Sequence, residues 1–409
     1  MNKDRKILHR ESILLYNFDK EELYNNYYSN RLCKSIFNLD YDYNINNNKL
    51  IYNTNTLLIK PFKNLNIKED NELDNYYLNI LCWNKRNIIS FGQENTCFYW
   101  KYENYCNNNN SDNLNNKLQK IYINKEEGNI TNISSSNEGK YIAIATEKGI
   151  ISIWDIEKKI KLRVLKNEYQ LNQIGVSDWN NYILSTGSFN GTIINRDIRI
   201  KDSIISILNS NYHNEDSICS LKWNKDGTKL ASGGNDNLLN IWTLEKLTYY
   251  NSKPLLIKND HHAAIRALSW STEDNDLLIT GGGTLDRTIK IWNIKEDELI
   301  HSIKTEDQIC SLIWRNNNEI ISSINDFNNF NNKKILIWNY NYNISKTFIS
   351  KKYYLIGHKK RVLHIAKSPD NNTLISLSSD KTLKFWNLEN NIKKENRYYS
   401  LENHLNQIR

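Results

Sequence analysis

The segment Ala231-Ser232-Gly233-Gly234-Asn235-Asp236-Asn237-Leu238-Leu239-Asn240-Ile241-Trp242 decides the fold. It reads as two short strands around a tight turn: small and apolar residues ending in a glycine pair, an Asn-Asp-Asn turn, and an apolar run closing on tryptophan. Asparagine and aspartate suit that turn because their side chains accept hydrogen bonds from backbone amides two residues on. The spacing returns as Asp286 with Trp292 and Asp380 with Trp386. Similar apolar runs end at Trp100, Trp154 and Trp338, and Arg196-Asp197 takes the remaining place. In these weaker copies Glu94, Lys148, Asn332 and Asn190 stand where the aspartate would be. The units recur every 40–55 residues or so, a period typical of arrays of supersecondary units.

Seven such units, each of four short antiparallel strands, predict an all-β chain folded as a seven-bladed WD-repeat β-propeller over residues 78–388. Gly357-His358 opens the last unit as the Gly-His of a WD repeat does, and Trp154-Asp155 supplies the WD dipeptide. Residues 1–77 read as an N-terminal docking segment and lead-in to the first blade, and residues 389–409 as a polar, flexible tail. Both ends are expected to be extended docking elements.

Composition removes several function classes. The net charge of +8 is spread along the chain, and its lysine pairs (Lys158-Lys159, Lys359-Lys360, Lys393-Lys394) read as solvated turns, not as a nucleic-acid stripe. Cys33, Cys82, Cys97, Cys106, Cys219 and Cys310 are too scattered for a zinc site and fit free thiols in a reducing compartment. No apolar run approaches the roughly 20 residues that span a bilayer, and no signal-peptide core opens the chain. A nuclear and cytoplasmic protein with no membrane or nucleic-acid partner is expected. His261-His262 and His358 sit at blade openings where a structural imidazole belongs, and Gly281-Gly282-Gly283-Thr284 lacks the Gly-Lys-Ser/Thr of a phosphate loop. No catalytic constellation, metal site or cofactor is implied.

With the repeat in hand, Ala231 to Trp242, Thr280 to Asn293, Gln308 to Trp314 and Arg361-Val362-Leu363 resemble the Fizzy and Fizzy-related proteins, coactivators of the anaphase-promoting complex. The resemblance covers all seven blades and both ends. It implies a substrate receptor for a ubiquitin ligase, with ligase subunits, degron-containing proteins and checkpoint inhibitor proteins as partners. In that family an N-terminal C-box, Asp-Arg-aromatic-Ile-Pro-x-Arg, and a C-terminal Ile-Arg dock onto the ligase. Asp4, Arg5, Ile7 and Arg10 match the C-box, whereas Lys6 and Leu8 replace the aromatic residue and the proline; Ile408 and Arg409 match the tail. A terminal Ile-Arg offers one apolar side chain, one guanidinium and one carboxylate, a set readable only at a chain end.

The resemblance also implies two degron sites. For a Lys-Glu-Asn degron the matching positions are Asn75, Tyr76, Asn235, Asn237, Thr284, Gln308 and Arg361, with Asn75 standing where the family usually has aspartate. Arg361 would meet the glutamate and the amides the asparagine; the alternative is that Asn235 and Asn237 only build a turn. For the D-box, Pro61-Phe62-Lys63-Asn64-Leu65 is followed by Asn66, and Asp380 by Lys381, where the family places two acids that read an arginine. Glu69 or Asp70 is the nearby substitute. A general WD-repeat scaffold for RNA processing or trafficking is the rival expectation.

Overall fold

A computed structural model describes residues 40–42, 51–53, 57–67, 77–102, 118–166, 172–246, 252–316, 318–324, 333–341 and 348–388. The chain divides into residues 1–57 and residues 58–409. In the first unit, Asp40–Asp42 pairs with Ile51–Asn53 as a short antiparallel hairpin. The second unit is the expected propeller.

Blades one to seven begin with the strands Leu81–Trp83, Ile130–Ser135, Ile174–Asn180, Ile218–Trp223, Ile265–Trp270, Ile309–Asn316 and Val362–Lys367. Each blade continues as an antiparallel meander, and its first strand packs against the first strands of its neighbours until blade seven meets blade one. These first strands line a central channel of about 650 Å³.

The inner strands in this arrangement are buried on both faces, because each blade is covered by a neighbour on either side, whereas outer strands such as Ile160–Leu165 are largely exposed. Blade five's Leu277–Gly282 is buried throughout. The core is therefore divided among the contacts between blades. Leu221, Leu230 and Trp242 help fill the space between blades three and four, whereas Ile291, Ile309 and Trp338 belong to that between five and six. Small residues in the second strands make room for this. A Cβ on Gly281 would stand 2.6 Å from Cγ2 of Ile309, the first residue of the next blade, which is closer than packed carbons approach.

The ring closes by a device that the sequence reading placed outside the propeller. Blade seven has only three strands of its own after residue 361, and Lys63–Asn66 supplies the fourth, antiparallel to Thr382–Asn387. Residues 63–66 are thus part of the last blade and not a lead-in to the first. Ile59, just upstream, is buried in the core between blades six and seven.

Candidate functional site

The repeated turn and tryptophan are held by one hydrogen-bond pattern. In blade four, His213 Nδ1 lies 3.2 Å from Asp236, its Nε2 lies 2.8 Å from Ser232 Oγ, and Trp242 donates to the same hydroxyl at 2.9 Å. Blade five repeats this with His261, Asp286, Thr280 and Trp292, and blade seven with His358, Asp380, Ser376 and Trp386. The sequence reading found the three aspartates and two of the histidines; it missed His213, which ends a one-turn 3-10 helix.

These groupings have the connectivity of a His/Asp/Ser triad, yet they are not nucleophile sites. Ser232, Thr280 and Ser376 have no exposed surface, and each hydroxyl is capped by an indole N–H. Burial pushes the His261 and His358 pKa values down, against the pull of Asp286 and Asp380. Desolvation works to raise Asp380, but hydrogen bonds from His358, Thr382 and the Lys359 amide outweigh it and leave the carboxyl below its usual range.

In blade three, Arg196 pairs with Leu184 as Trp242 does with Leu230, and its Nη1 donates to Thr186 at 2.7 Å. Its guanidinium takes the tryptophan's place, and burial lowers its pKa to about 10. Asn190 likewise takes the aspartate's role, accepting from the Thr192 amide at 3.2 Å.

With the blades locked in this way, the turns between second and third strands lie beside the starts of the first strands, at one end of the channel. Asn235 donates from its backbone to Ser217 O, and its Nδ2 donates to both Asp216 oxygens at 3.2 and 3.0 Å. Its Oδ1 accepts from Tyr77 Oη at 3.2 Å, so the segment leading into blade one is tied to a turn of blade four. Asn237 adopts a left-handed φ of 69° and is half-buried, with its side-chain amide unpaired among the described residues. Across blade five, Thr284 Oγ1 donates to Gln308 Oε1 at 2.8 Å. Gln308 is 4 % exposed, and its Nε2 has no partner among the described residues. Such a donor is costly to leave unpaired and is suited to an incoming acceptor. Arg361 stands half-buried at the start of blade seven's first strand, its carbonyl accepting from Ser379.

Of the expected Lys-Glu-Asn site, the structure therefore brings Asn235, Asn237, Thr284, Gln308 and Arg361 to one end of the channel. Asn75 and Tyr76 lie outside the described residues. Tyr77, Asp216 and Phe189 were not anticipated. Phe189 occupies in blade three the turn position that Asn235 holds in blade four, and it meets Tyr77 edge-on at 6.1 Å between ring centroids. The Tyr76-Tyr77 doublet was the available signal, and its second member bonds across the channel to Asn235.

The D-box pair is also assembled. Asn66 sits opposite Thr382 in the closing strand pair, and the next amide, Ile67 N, donates to Lys381 O at 2.8 Å. Beside them Leu65, Ile67 and Leu78 are half-buried against the core between blades seven and one, an apolar patch at the seam. Glu69 and Asp70, the proposed substitute acids, lie outside the described residues, as do the C-box positions Asp4, Arg5, Ile7 and Arg10 and the tail residues Ile408 and Arg409. No cluster of metal-ligating side chains occurs among the described residues.

Comparison with known proteins agrees with this geometry. A family described as CDC20/Fizzy WD40 domain matches residues 71–386. Cell division cycle 20.1, cofactor of APC complex, from Arabidopsis thaliana is 34% identical over 77% of this chain and 64% of its own length. The anaphase-promoting complex subunit cdc20 of Dictyostelium discoideum is 33% identical over 80% of this chain and 59% of its own. A chain in the crystal structure of the mitotic checkpoint complex superposes with a TM-score of 0.69 at 29% identity, covering 86% of this chain and 97% of that one. The chain thus spans about three-fifths of the two relatives' lengths. This chain belongs to the CDC20/Fizzy family.

Proposed function

We propose that this chain is a non-enzymatic activator and substrate-recognition subunit of the anaphase-promoting complex, acting in the nucleus and cytoplasm during cell-cycle progression. The observation that carries the reading is the convergence of Asn235, Asn237, Thr284, Gln308 and Arg361 at one end of a propeller of this family, with the Gln308 amide still open to an acceptor. A Lys-Glu-Asn degron has a cation, an anion and an amide to satisfy. Arg361 supplies the cation for its glutamate, Asn237 and Gln308 supply amides, and Asp216, already bonded to Asn235, supplies the carboxylate that Asn75 lacks.

The mechanism is bivalent. The C-box and the Ile-Arg tail hold the ligase, the propeller holds the degron, and the tether makes ubiquitin transfer effectively local. The same turn end is the surface a checkpoint inhibitor would occupy by presenting a degron-like segment.

Affinity purification tests the ligase-docking half. Deleting Ile408 and Arg409, or changing Arg5 and Arg10 to alanine, is expected to deplete ligase subunits while the propeller's melting temperature holds, because chain ends contribute little to core stability. Recovery of ribonucleoprotein or vesicle components in place of ligase subunits would instead favour a general scaffold.

A further inference from the structure

The channel end opposite the degron turns carries charge that recognition of a degron leaves unused. The first strands of neighbouring blades run in the same direction, as the parallel bridge between Asn79 and Asn132 shows, so their C-terminal ends share one mouth. Lys85, Lys222, Lys225 and Lys367 all lie at those ends and line the channel. The lining contains a single carboxylate, Asp178, and it is spent: Lys222 donates to Oδ1 at 2.7 Å and the Trp223 amide to Oδ2 at 2.8 Å.

Lys367 is the most telling member. Its ammonium donates to the carbonyls of Trp314 and Arg315 at 3.1 and 3.2 Å and forms no ion pair among the described residues. Nearby, Arg315 and Lys352 share the one carboxylate of Glu319. Burial, with Arg315 adding to it, lowers the Lys367 pKa to about 8. A partly desolvated cation without a counter-ion is costly, and a bound anion offsets that cost. The surrounding turns carry Glu138, Asp226, Glu273, Asp274 and Asp370, and none of them forms an ion pair with Lys367 among the described residues. Asp226, Asp274 and Asp370 cap their own turns by accepting from the amides of Thr228, Asp276 and Asn372.

We propose that this mouth binds a small soluble polyphosphate, seated by Lys85, Lys222, Lys225 and Lys367. The lining hydroxyls of Ser135, Ser136 and Thr272 add uncharged donors. Lys85, Lys225 and Lys367, beyond the neutralised Lys222–Asp178 pair, call for a multiply charged ligand, and a channel of about 650 Å³ accepts a compact one. Phosphate oxygens match both the ammonium and the hydroxyl donors. The site uses the opposite end of the channel and does not depend on the degron reading.

Calorimetric titration of the full chain with inositol hexakisphosphate and with inorganic tripolyphosphate tests the idea. Saturable binding is expected, weakening as salt is added, with a ligand-dependent rise in melting temperature. Lys367→Met should weaken binding of both polyphosphates, since it removes the buried ammonium that has no carboxylate partner among the described residues. Lys85→Gln with Lys225→Gln, both at exposed positions, should weaken binding roughly tenfold or more. Lys158→Gln with Lys159→Gln, on an exposed turn of blade two, should leave it unchanged. The proposal is overturned by absence of saturable binding at low salt, by wild-type affinity in the mouth variant, or by equal loss in the blade-two variant. It is also overturned if polyglutamate binds as tightly as polyphosphate, since general acidic attraction then accounts for the effect.

Discussion

The turn end of blades four and five and the seam between blades seven and one are built on the same strand pattern, yet they hold different chemical inventories. At blades four and five the polar set is dense and interlocked: Tyr77 to Asn235, Asn235 to Asp216, Thr284 to Gln308. At the seam the backbone geometry is complete, but Asn66 and Lys381 stand at its edge where two acids would read an arginine. The scaffold therefore constrains the position of a side chain far more tightly than its charge. Pairing of Lys63–Asn66 with Thr382–Asn387 needs only backbone groups and alternating apolar side chains, so the edge residues can change sign without opening the ring.

The most severe way to separate the two regions is to damage the closure alone. Phe385 has no exposed surface, lies in the core between blades seven and one, and stacks at 5.9 Å on Tyr102. Phe385→Ala is expected to cost about 3–5 kcal/mol of stability, read from urea unfolding, as large core truncations do. A change below about 1 kcal/mol would mean that the seam does not hold the ring shut.

A second comparison leaves the fold intact. Arg361→Ala, or Asn237→Gly, which keeps the left-handed turn while removing the amide, should each weaken a Lys-Glu-Asn peptide by about 1–3 kcal/mol in a fluorescence titration. Co-purification of ligase subunits should persist in both. Wild-type peptide affinity in the two variants would reduce these residues to turn formers.

Acid should affect blades five and seven together. Burial depresses the His261 and His358 pKa values, so their unfolded forms take up protons first, near the ordinary histidine value of about 6.5. Their contribution to stability is present above that pH and is lost as pH falls below it. The lowered Asp380 pKa acts in the same direction further down, below the usual carboxylate range. The urea midpoint should thus fall between pH 7.5 and pH 5.5, and His358→Gln should flatten that slope; a midpoint that rises on acidification contradicts the neutral imidazoles.

What the sequence revealed and what it hid follow from how local each signal is. The turn aspartates and their tryptophans are legible because both ends of the contact lie within seven residues. Arg196 could be assigned by its place in the repeat, and its bond to Thr186 shows why an arginine is tolerated there. His213 escaped notice because it ends a 3-10 turn ahead of its blade, without the Gly-His dipeptide that marks His358. Lys63–Asn66 was assigned to a lead-in because its partner strand is more than 300 residues away, and no local pattern reports such a pairing. Tyr77 was passed over for the same reason: its partner is an asparagine 158 residues distant.

The smallest effect is the most diagnostic of the seam. Asn66 is exposed and Lys381 half-exposed, so charges placed there remain well screened. A standard D-box peptide should bind weakly through its apolar leucine, which has the half-buried Leu65, Ile67 and Leu78 to meet, while its arginine gains little beside Lys381. Asn66→Asp with Lys381→Glu would set two carboxylates across the closing pair, at positions that the Ile67 to Lys381 hydrogen bond holds adjacent. Because one guanidinium can engage both, the gain in the double variant should exceed the sum of the single gains, by about 0.5 kcal/mol or more. Replacing the peptide's arginine with alanine should erase that gain. If wild type already discriminates strongly between the arginine and alanine peptides, acids elsewhere, Glu69 or Asp70 foremost, read the degron, and the two regions differ in where their charge is carried and not in whether they have it.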